Sequence, residues 1–212
     1  MALAGLDVGT SGCKVVVFQE NGTIITQSYR EYPFITPQPG WLEIDPEHIW
    51  KSVLSSLREV VEKSPELIDV VAVTSHGETL IPIDRKGMAL YNALANFDTR
   101  AHTYVDYWLE RGDPFTYFQI TGMPPHGMYT VNKILWLKDH HPEIFDKTWK
   151  FCCVEDYIIY RLTGDEPIID YSLAARTMLF DVVKKQWSQK ICRLAGIEPA
   201  KLSKVSPSGR LA

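Results

Sequence analysis

The stretch GLDVGTSGCKVVVFQENGTI, residues 5 to 24, contains an aspartate just before a glycine-rich turn, and a second apolar run follows the turn. Three runs rich in Val, Ile and Leu, at residues 2 to 8, 14 to 19 and 23 to 30, are separated by the turn sequences GTSG and ENG. Short apolar runs joined by tight turns are typical of consecutive β-strands. The stretch therefore predicts an antiparallel meander of three strands at the start of the fold.

The glycine-rich turn does not fit the two commonest phosphate-binding motifs. The dinucleotide fingerprint and the P-loop both require a helix directly after the glycines, because the helix N-terminus faces the phosphate. Here a strand follows, and the spacing is neither GxGxxG nor a GK[ST] ending. A hairpin can still bind phosphate, since Gly9 and Gly12 let the backbone approach closely, Thr10 and Ser11 offer donors, and Lys14 adds a cation.

The carboxylate of Asp7 would repel a phosphate unless a cation lay between them. Mg²⁺ usually keeps several waters and binds through one or two protein carboxylates together with substrate phosphates. We therefore interpret Asp7 as a carboxylate for the Mg²⁺ that accompanies a nucleotide. The alternative is that DVGTSG is only a tight turn, in which Asp7 accepts backbone hydrogen bonds.

Composition and charge argue against several classes of partner. The 212 residues are 45% hydrophobic and 23% charged, which is enough to bury a core, and the net charge is −4. Without a basic run, nucleic acid and anionic membranes are poor candidates. The N-terminus resembles a strand more than a signal peptide, and no apolar window is long enough to span a membrane. The four cysteines lack metal-type spacing, so reduced thiols in a cytoplasmic protein are expected.

The rest of the chain indicates one helix, one apolar strand and then a helix-rich half. Asp45-Pro46-Glu47 is typical of a helix start, and apolar spacing continues the helix over residues 46 to 63. DVVAVTSHGET, residues 69 to 79, is an apolar run that ends in polar residues, which predicts a buried central strand. The tail turns to Ser, Pro, Gly and Lys, which predicts that residues 203 to 212 begin a linker.

Together these segments resemble a known family. The pattern strand-Asp-x-Gly-Thr-Ser-strand is similar to the first phosphate hairpin of the superfamily of actin, sugar kinases and heat-shock ATPases. Later segments resemble, in order and spacing, the N-terminal domain of the FGGY carbohydrate kinases. They are GWLEIDPEHIW (40–50), VTSHGETLIPIDRKGMALYNALANFDTRA (73–101), ITGMPPHGMYTVNKILWLKDHHPEIF (120–145), VEDYIIYRLTG (154–164) and IIDYSLAARTMLFDVVKKQW (168–187).

The resemblance covers essentially the whole chain and implies an α/β domain of the ribonuclease H-like fold of the actin-like ATPases. Its mixed sheet would begin with the three-stranded meander and be flanked by helices. Residues 1 to 212 would form the sugar-binding N-terminal domain of a kinase. A C-terminal nucleotide-binding domain would follow the linker.

The resemblance also implies an activity, in which a sugar or polyol hydroxyl attacks the γ-phosphate of ATP with the help of Mg²⁺. Asp170 in IIDYSLAART matches the family's catalytic aspartate, and would orient the hydroxyl and accept its proton. The residues alone favour a different role, in which Asp170 is the N-cap of a short helix that starts at Tyr171. The resemblance shifts the prediction to catalysis.

Substrate contacts are expected after the apolar strand and in the loop NFDTRA. His76 and Glu78 follow the strand, where short polar side chains can pair with sugar hydroxyls. Asp98 and Arg100 are further candidates, and they could instead, or in addition, form a local ion pair that orders the loop. Trp41 would stack on the apolar face of the sugar, or it would pin its own loop to the core.

The string SHGET departs from both subfamily patterns considered. It keeps the Glu-Thr of the Gln-Arg-Glu-Thr string found in glycerol kinases, but Gly77 replaces the arginine, and it lacks the Gln-Met-His-Gly of xylulokinases. Glycerol is therefore in doubt as the substrate. A xylulose-like pentulose is the favoured class, while the particular sugar stays open.

Three further expectations follow. The isolated chain should fold and bind sugar weakly but not turn over ATP, because both halves of such a kinase must close on the substrates. Apolar surface facing the C-terminal domain would also permit a homodimer. Two other functions stay open, an actin-like ATPase and a non-catalytic sugar-binding or regulatory module, and GWLEIDPEHIW and FDTRA argue against the first.

Overall fold

The computed structural model describes residues 1 to 212. Its strands are β1 (Ala2–Val8), β2 (Gly12–Gln19), β3 (Ile24–Glu31), β4 (Glu43–Ile44), β5 (Ile68–Ser75), β6 (Ile81–Ile83), β7 (Ala93–Leu94), β8 (Lys150–Cys152), β9 (Ile168–Asp170), β10 (Phe180–Asp181), β11 (Gln186–Trp187) and β12 (Lys204–Ser206). Its α-helices are α1 (Pro46–Lys63), α2 (Tyr104–Arg111), α3 (Pro114–Thr121), α4 (Thr130–His140), α5 (Pro142–Lys147), α6 (Val154–Thr163), α7 (Tyr171–Ala175) and α8 (Gln189–Ala195).

The predicted meander forms most of the main sheet. β1 pairs antiparallel with β2 and β2 with β3, while β5 lies parallel to β1, so that the strand order is β3-β2-β1-β5. Along β1, Ala4, Leu6 and Val8 are buried, whereas Asp7 is exposed on the opposite face. The two-residue period of a strand thus leaves Asp7 on the open face, directly opposite Lys14 of β2.

Helix α1 covers the other face of this sheet, with the bounds that the sequence predicts. Asp45 is the N-cap, and its carboxylate accepts the Glu47 N–H at 2.9 Å. Ile49, Val53 and Val60 recur at helical spacing and are fully buried in the same core as β1. The helix thereby fixes the sheet whose far end carries the glycine-rich turn.

The prediction that β5 is a buried central strand is wrong for these residues. β5 is an edge strand that pairs only with β1, and Val70 and Val71 are each 41% exposed. An apolar run indicates that a strand is suited to burial, but it does not indicate how many other strands pair with it.

The second half is helix-rich, as predicted, and has its own core around Trp108, Tyr117 and Trp136. No helix in it, or elsewhere in the chain, has the length and apolar character that crossing a membrane requires. The predicted start of the linker at residue 203 needs correction. β12 pairs parallel with β9, and Ser203 and Ser206 are buried, so only residues 207 to 212 form an exposed tail.

Candidate active site

The turn between β1 and β2 is a tightly bonded hairpin. The Gly9 N–H donates to the Gly12 carbonyl at 2.9 Å, and the Tyr32 hydroxyl donates to both the Gly9 and Gly12 carbonyls. A Cβ on Gly12 would lie 2.6 Å from the Arg30 carbonyl oxygen, so only glycine fits there. The backbone of this turn is therefore fixed before any ligand binds.

The side chains on the hairpin are free of protein partners. Thr10 is half-buried and Ser11 is exposed, and neither hydroxyl makes a hydrogen bond within the protein. Asp7 and Lys14 lie opposite each other in the strand register, both exposed, without an ion pair between them. Asp7 accepts no backbone hydrogen bond, so the alternative in which it merely stabilises the turn is not observed.

This donor set fits Mg²⁺. No cluster of three or more His, Cys, Asp or Glu side chains lies close enough to enclose a metal ion. A single exposed carboxylate beside free hydroxyls matches the way Mg²⁺ binds, since its remaining ligands are water and phosphate oxygens. Asp7 could therefore hold the ion only together with a bound phosphate.

His76 links the end of β5 to the end of β1, just before the hairpin. Its Nδ1 lies 3.1 Å from the Val8 carbonyl oxygen, and its Nε2 lies 2.7 Å from Thr79 Oγ1. A carbonyl only accepts, so Nδ1 carries the proton and Nε2 accepts from the Thr79 hydroxyl. Burial lowers the pKa of His76 and keeps the ring neutral. Both ring nitrogens are thus engaged, which favours a positioning role over the predicted contact with sugar.

Glu78 is a buried carboxylate held in an unusual backbone conformation. Its φ is 63°, in the left-handed region that non-glycine residues rarely adopt. The Lys133 ammonium, itself fully buried, donates to the Glu78 carbonyl at 3.0 Å and also to the Met128 carbonyl. Desolvation lowers the pKa of Lys133 to about 8. These contacts hold the Glu78 backbone in its left-handed conformation, and strained residues that are held in this way often lie at functional sites.

The Glu78 side chain is fixed through one oxygen only. Arg176 Nε donates to Oε1 at 2.5 Å, and Arg176 Nη2 forms an ion pair with the same oxygen. Oε2 has no hydrogen-bond partner in the protein and is not fully enclosed. Glu78 therefore presents a free acceptor, as the prediction of a substrate contact requires.

Sequence reasoning missed Arg176. It follows α7, and its side chain passes over Gly77, where a Cβ would lie 3.4 Å from Arg176 Cβ and Cγ. The signal was present in the segment SLAARTM, which the family resemblance included. The partner in the ion pair could not be found from sequence, because Glu78 lies far away along the chain.

Asp98 and Arg100 form a closed ion pair instead of an open site. Asp98 Oδ1 accepts from Arg100 N and Nε, both at 2.9 Å, and Oδ2 accepts from Arg100 Nη2 at 2.8 Å and Leu42 N at 2.6 Å. Glu43 supplies a second carboxylate at 2.8 Å, and both side chains of the pair are 0% exposed. The geometry is that of the alternative role, a pair that orders the loop.

The contacts of Trp41 are those expected for its alternative role. Its ring lies 3.9 Å from the Arg100 guanidinium carbon and packs edge-on against Trp136, with 5.4 Å between the ring centroids. Trp136 covers the Arg100 guanidinium as well, at 4.8 Å. Trp41 thus holds its loop on the core and helps to enclose Arg100.

Asp170 is the N-cap of α7. Its Oδ1 accepts the Leu173 N–H at 2.8 Å, and the Ser172 hydroxyl lies 2.9 Å from both carboxylate oxygens. The Ser208 hydroxyl donates to Oδ2. The cap that the residues alone favour is present, and the catalytic role stays a prediction.

The structure gathers part of the predicted site at one end of the sheet. His76 N–H donates to the Val8 carbonyl, so the hairpin and the segment 76 to 79 are neighbours. A Cβ on Gly77 would lie 3.6 Å from Leu173, which brings the start of α7 to the same place. Asp98 and Arg100 are instead buried as an ion pair, with Trp41 half-buried against the guanidinium.

A mixed sheet that begins with an antiparallel meander and is flanked by helices is the architecture of a ribonuclease H-like α/β domain, and here the hairpin with its unpaired hydroxyls lies at one end of that sheet. The model of the FGGY family of carbohydrate kinases, N-terminal domain, matches residues 2–212, and the chain belongs to this family. The resemblance expected from sequence is thereby confirmed.

Individual relatives agree with the family. A glycerol kinase of Thermococcus gammatolerans is 34% identical over 214 residues, which cover 97% of this chain and 43% of that protein. The ligand-bound xylulose kinase of Lactobacillus acidophilus superposes with a TM-score of 0.91 at 29% identity, covering 97% of this chain and 42% of the other. Plasmodium falciparum glycerol kinase with ADP superposes with a TM-score of 0.90 at 26% identity, and the match covers 100% of this chain and 45% of that one.

These superpositions confirm the predicted fold class. The chain also spans less than half the length of the relatives it matches, about 43% for the glycerol kinase.

Proposed function

We propose that residues 1 to 212 are the sugar-binding N-terminal domain of an ATP- and Mg²⁺-dependent carbohydrate kinase. One observation carries the proposal: the rigid hairpin with free hydroxyls and the open oxygen of Glu78 meet at the same end of the sheet. A kinase must bring a phosphate and an acceptor hydroxyl together, and this end of the sheet carries groups suited to each.

Each element of the site has a part in this reaction. The hairpin would bind phosphate oxygens through Thr10, Ser11 and its backbone, with Lys14 adding positive charge. Asp7 would hold Mg²⁺, which neutralises phosphate charge during transfer. Glu78 would accept a hydrogen bond from a substrate hydroxyl and so orient it. The proposal does not depend on Asp170 as the base.

The substrate class is a small sugar or polyol. The family and the glycerol kinase relative support a polyol, and the likeness to a xylulose kinase supports the pentulose expected from sequence. A buried carboxylate acceptor discriminates strongly between substrates that offer a hydroxyl at that position and those that do not. We keep a pentulose as the first candidate and glycerol as its competitor.

The remaining parts of the kinase would lie outside these residues. The relatives' greater length supports a C-terminal nucleotide-binding domain as the partner, reached through a linker that starts after Ser206 and not at residue 203. The isolated chain would then fold without turning over ATP. A homodimer and a cytoplasmic location remain expectations of the sequence.

The test uses these residues joined to the proposed C-terminal domain, which together are called the full-length protein below. A coupled assay of ADP release is run with xylulose, ribulose, glycerol and gluconate, with and without Mg²⁺. We expect Mg²⁺-dependent turnover with one of them, and about 100-fold lower kcat/KM for Glu78→Gln, since a buried acceptor loses its charge. No turnover with a broader panel of sugars and polyols would overturn the proposal.

A matched control separates the site from general effects of losing a carboxylate. Glu59 on α1 also pairs with an arginine, Arg30, but lies on the far side of the sheet from the open face. Glu59→Gln should leave kcat/KM within about twofold of the parent, because exposed pairs contribute little. An equal loss in both variants would show that Glu78 does not contact the substrate.

A further inference from the structure

Helix α7 connects Asp170, the predicted base, to Glu78, the carboxylate proposed to bind the substrate. Asp170 is its N-cap, and Arg176 is its C-cap. Arg176 binds Oε1 of Glu78 through Nε and Nη2. A helix of only five residues therefore separates Asp170 from the cation that fixes Glu78.

The acceptor positions of Asp170 are used within the protein. Its two oxygens accept from three donors, which are the Leu173 N–H, the Ser208 hydroxyl and the Ser172 hydroxyl, whose one hydrogen is shared between both oxygens. An ionised carboxylate has about four lone-pair sites. A general base must offer a free lone pair to the hydroxyl it deprotonates. With the cap intact, Asp170 therefore has at most about one acceptor site left, and most of its carboxylate is engaged in holding α7.

The helix is held at both ends, so its position determines that of Arg176. The Asp170 N–H donates to Glu155 Oε2 at 3.1 Å, and the Val131 N–H donates to the Thr177 carbonyl at 3.1 Å. The Arg176 side chain passes over Gly77 on its way to Glu78, so that α7 packs directly on the segment that carries Glu78. Since α7 is so short, loss of its cap would displace Arg176 directly.

We propose that Asp170 and Arg176 are positioning residues for Glu78. Asp170 caps α7, Arg176 then engages Oε1 of Glu78, and Oε2 is left free for a substrate hydroxyl. This inference rests on the proposed function, in which Glu78 binds the sugar.

Three replacements at position 170 in the full-length protein separate a cap from a base. Asn and Ser are good N-caps but cannot take up the hydroxyl proton as a carboxylate does, and Ala can do neither. We expect Asp170→Asn and Asp170→Ser to keep kcat within about threefold of the parent, while Asp170→Ala raises the sugar KM about tenfold. A normal KM in the Asn and Ser variants, beside a raised KM in the Ala variant, is the result expected of a cap and not of a general base.

Asp113 provides the matched control. It is the N-cap of α3, where it accepts the Phe115 and Thr116 N–H groups, and no hydrogen bond joins that helix to Glu78. Asp113→Ala removes the same kind of cap, and the sugar KM should stay within about twofold of the parent. A tenfold rise in this control would show that the loss of any cap disturbs the site, and it would overturn the specific role of α7.

A double-mutant cycle tests the step from Arg176 to Glu78. Sugar binding is measured by calorimetry for the parent, Arg176→Gln, Glu78→Gln and the double variant. We expect Arg176→Gln to weaken binding about tenfold in the parent and less than about twofold in the Glu78→Gln background. Additive effects would overturn the proposal, because Arg176 would then act independently of Glu78.

The failures of the two proposals can be told apart. If the parent phosphorylates a sugar but Asp170→Asn and Asp170→Ser both lose about 10²-fold or more in kcat at unchanged KM, Asp170 is the base and the inference is wrong. If the parent neither binds nor phosphorylates any sugar, the proposed function is wrong, and the inference falls with it. Should Asp170→Ala fail to fold, the Asn, Ser and Arg176 variants still decide.

Discussion

Two arginine–carboxylate pairs in this domain have the same chemistry and opposite surroundings. Asp98 and Arg100 are sealed, with both side chains 0% exposed and the guanidinium held between Trp41 and Trp136. In the pair of Glu78 and Arg176, the arginine side chain is 37% exposed, and one carboxylate oxygen lacks a partner. The first pair is closed to solvent, and its one unpaired donor, Arg100 Nη1, is buried, whereas the second pair has a free acceptor and access to solvent.

The difference shows why a charged motif cannot be assigned to binding from its residue types alone. Asp98 and Arg100 are conspicuous in the sequence because only Thr99 separates their charges, and this short separation lets the pair close on itself. The open pair joins residues from different parts of the chain. The backbone of Arg176 is fixed as the C-cap of α7, and its side chain binds only one oxygen of Glu78. That support leaves Oε2 free.

The largest expected effect is on the stability of the closed pair. Arg100→Met leaves the carboxylates of Asp98 and Glu43 buried without their cation, so the free energy of unfolding should fall by about 3–5 kcal/mol. Urea unfolding of the 212-residue chain, followed by tryptophan fluorescence, measures it. Arg176→Met is the control at the open pair, where the guanidinium is 37% exposed and water can take part of its place beside the buried Glu78, and it should cost less, roughly 2 kcal/mol. Equal losses would break the comparison.

A buried carboxyl with no cation at all sharpens the comparison. Asp156 is fully buried, its only side-chain partner is the Ser203 hydroxyl, and Oδ1 has none. Desolvation raises the pKa of Asp156 to about 8, and it raises the pKa of the neighbouring Glu155 to about 7. The unfolded chain releases the protons of these two carboxyls near pH 4. The folded chain keeps them up to about pH 7 to 8, so over this interval it binds more protons than the unfolded chain.

Stability should consequently fall as the pH rises from 5.5 to 8, by on the order of 2 kcal/mol, and Asp156→Asn should flatten most of that slope. Denaturation at several pH values gives the measurement. Asp146→Asn, at an exposed carboxylate without a partner, should leave the slope unchanged. A stability that rises over this range would contradict the burial argument for Asp156.

Much of the fold follows from local signals in the sequence. The meander, the bounds of α1 and the hairpin were all predictable, because strand alternation, an N-cap and turn residues act over a few positions. The number of neighbours of β5 was not, since pairing is a tertiary property. The alternative roles of Asp98, Arg100 and Trp41 were foreseen, but the choice between them depended on burial.

Asp170 illustrates the limit most clearly. An aspartate before a short helix serves equally well as a cap or as a base in the sequence, and only its hydrogen bonds distinguish the two. The pair of Glu78 and Arg176 was invisible for another reason. Its members are brought together by the packing of α7 over Gly77, and no local pattern encodes that contact.

Glycines beside each pair allow a smaller and more exact test. Gly40 precedes Trp41 at the closed pair and has a φ of 81°, and a Cβ there would lie 2.4 Å from Thr99 Oγ1. Gly40→Ala should therefore cost about 1–2 kcal/mol of unfolding free energy, because both the backbone and the Thr99 side chain must adjust. The urea assay used for Arg100 measures it, and a neutral result would mean that the sealed loop is looser than its contacts indicate.

Gly77, beside the open pair, should be the most tolerant of these positions. Its backbone is outside the left-handed region, and a Cβ would meet only the flexible Arg176 and Leu173 side chains, at 3.4 to 3.6 Å. Gly77→Ala should change the free energy of unfolding by less than about 0.5 kcal/mol, since a surface loop can absorb so small a shift. In the full-length protein the same variant should raise the sugar KM by about two- to threefold, because any displacement of Arg176 reaches Glu78. A loss of stability as large as that of Gly40→Ala would mean that the open pair is packed as tightly as the closed one, and its assignment to substrate binding would lose its physical basis.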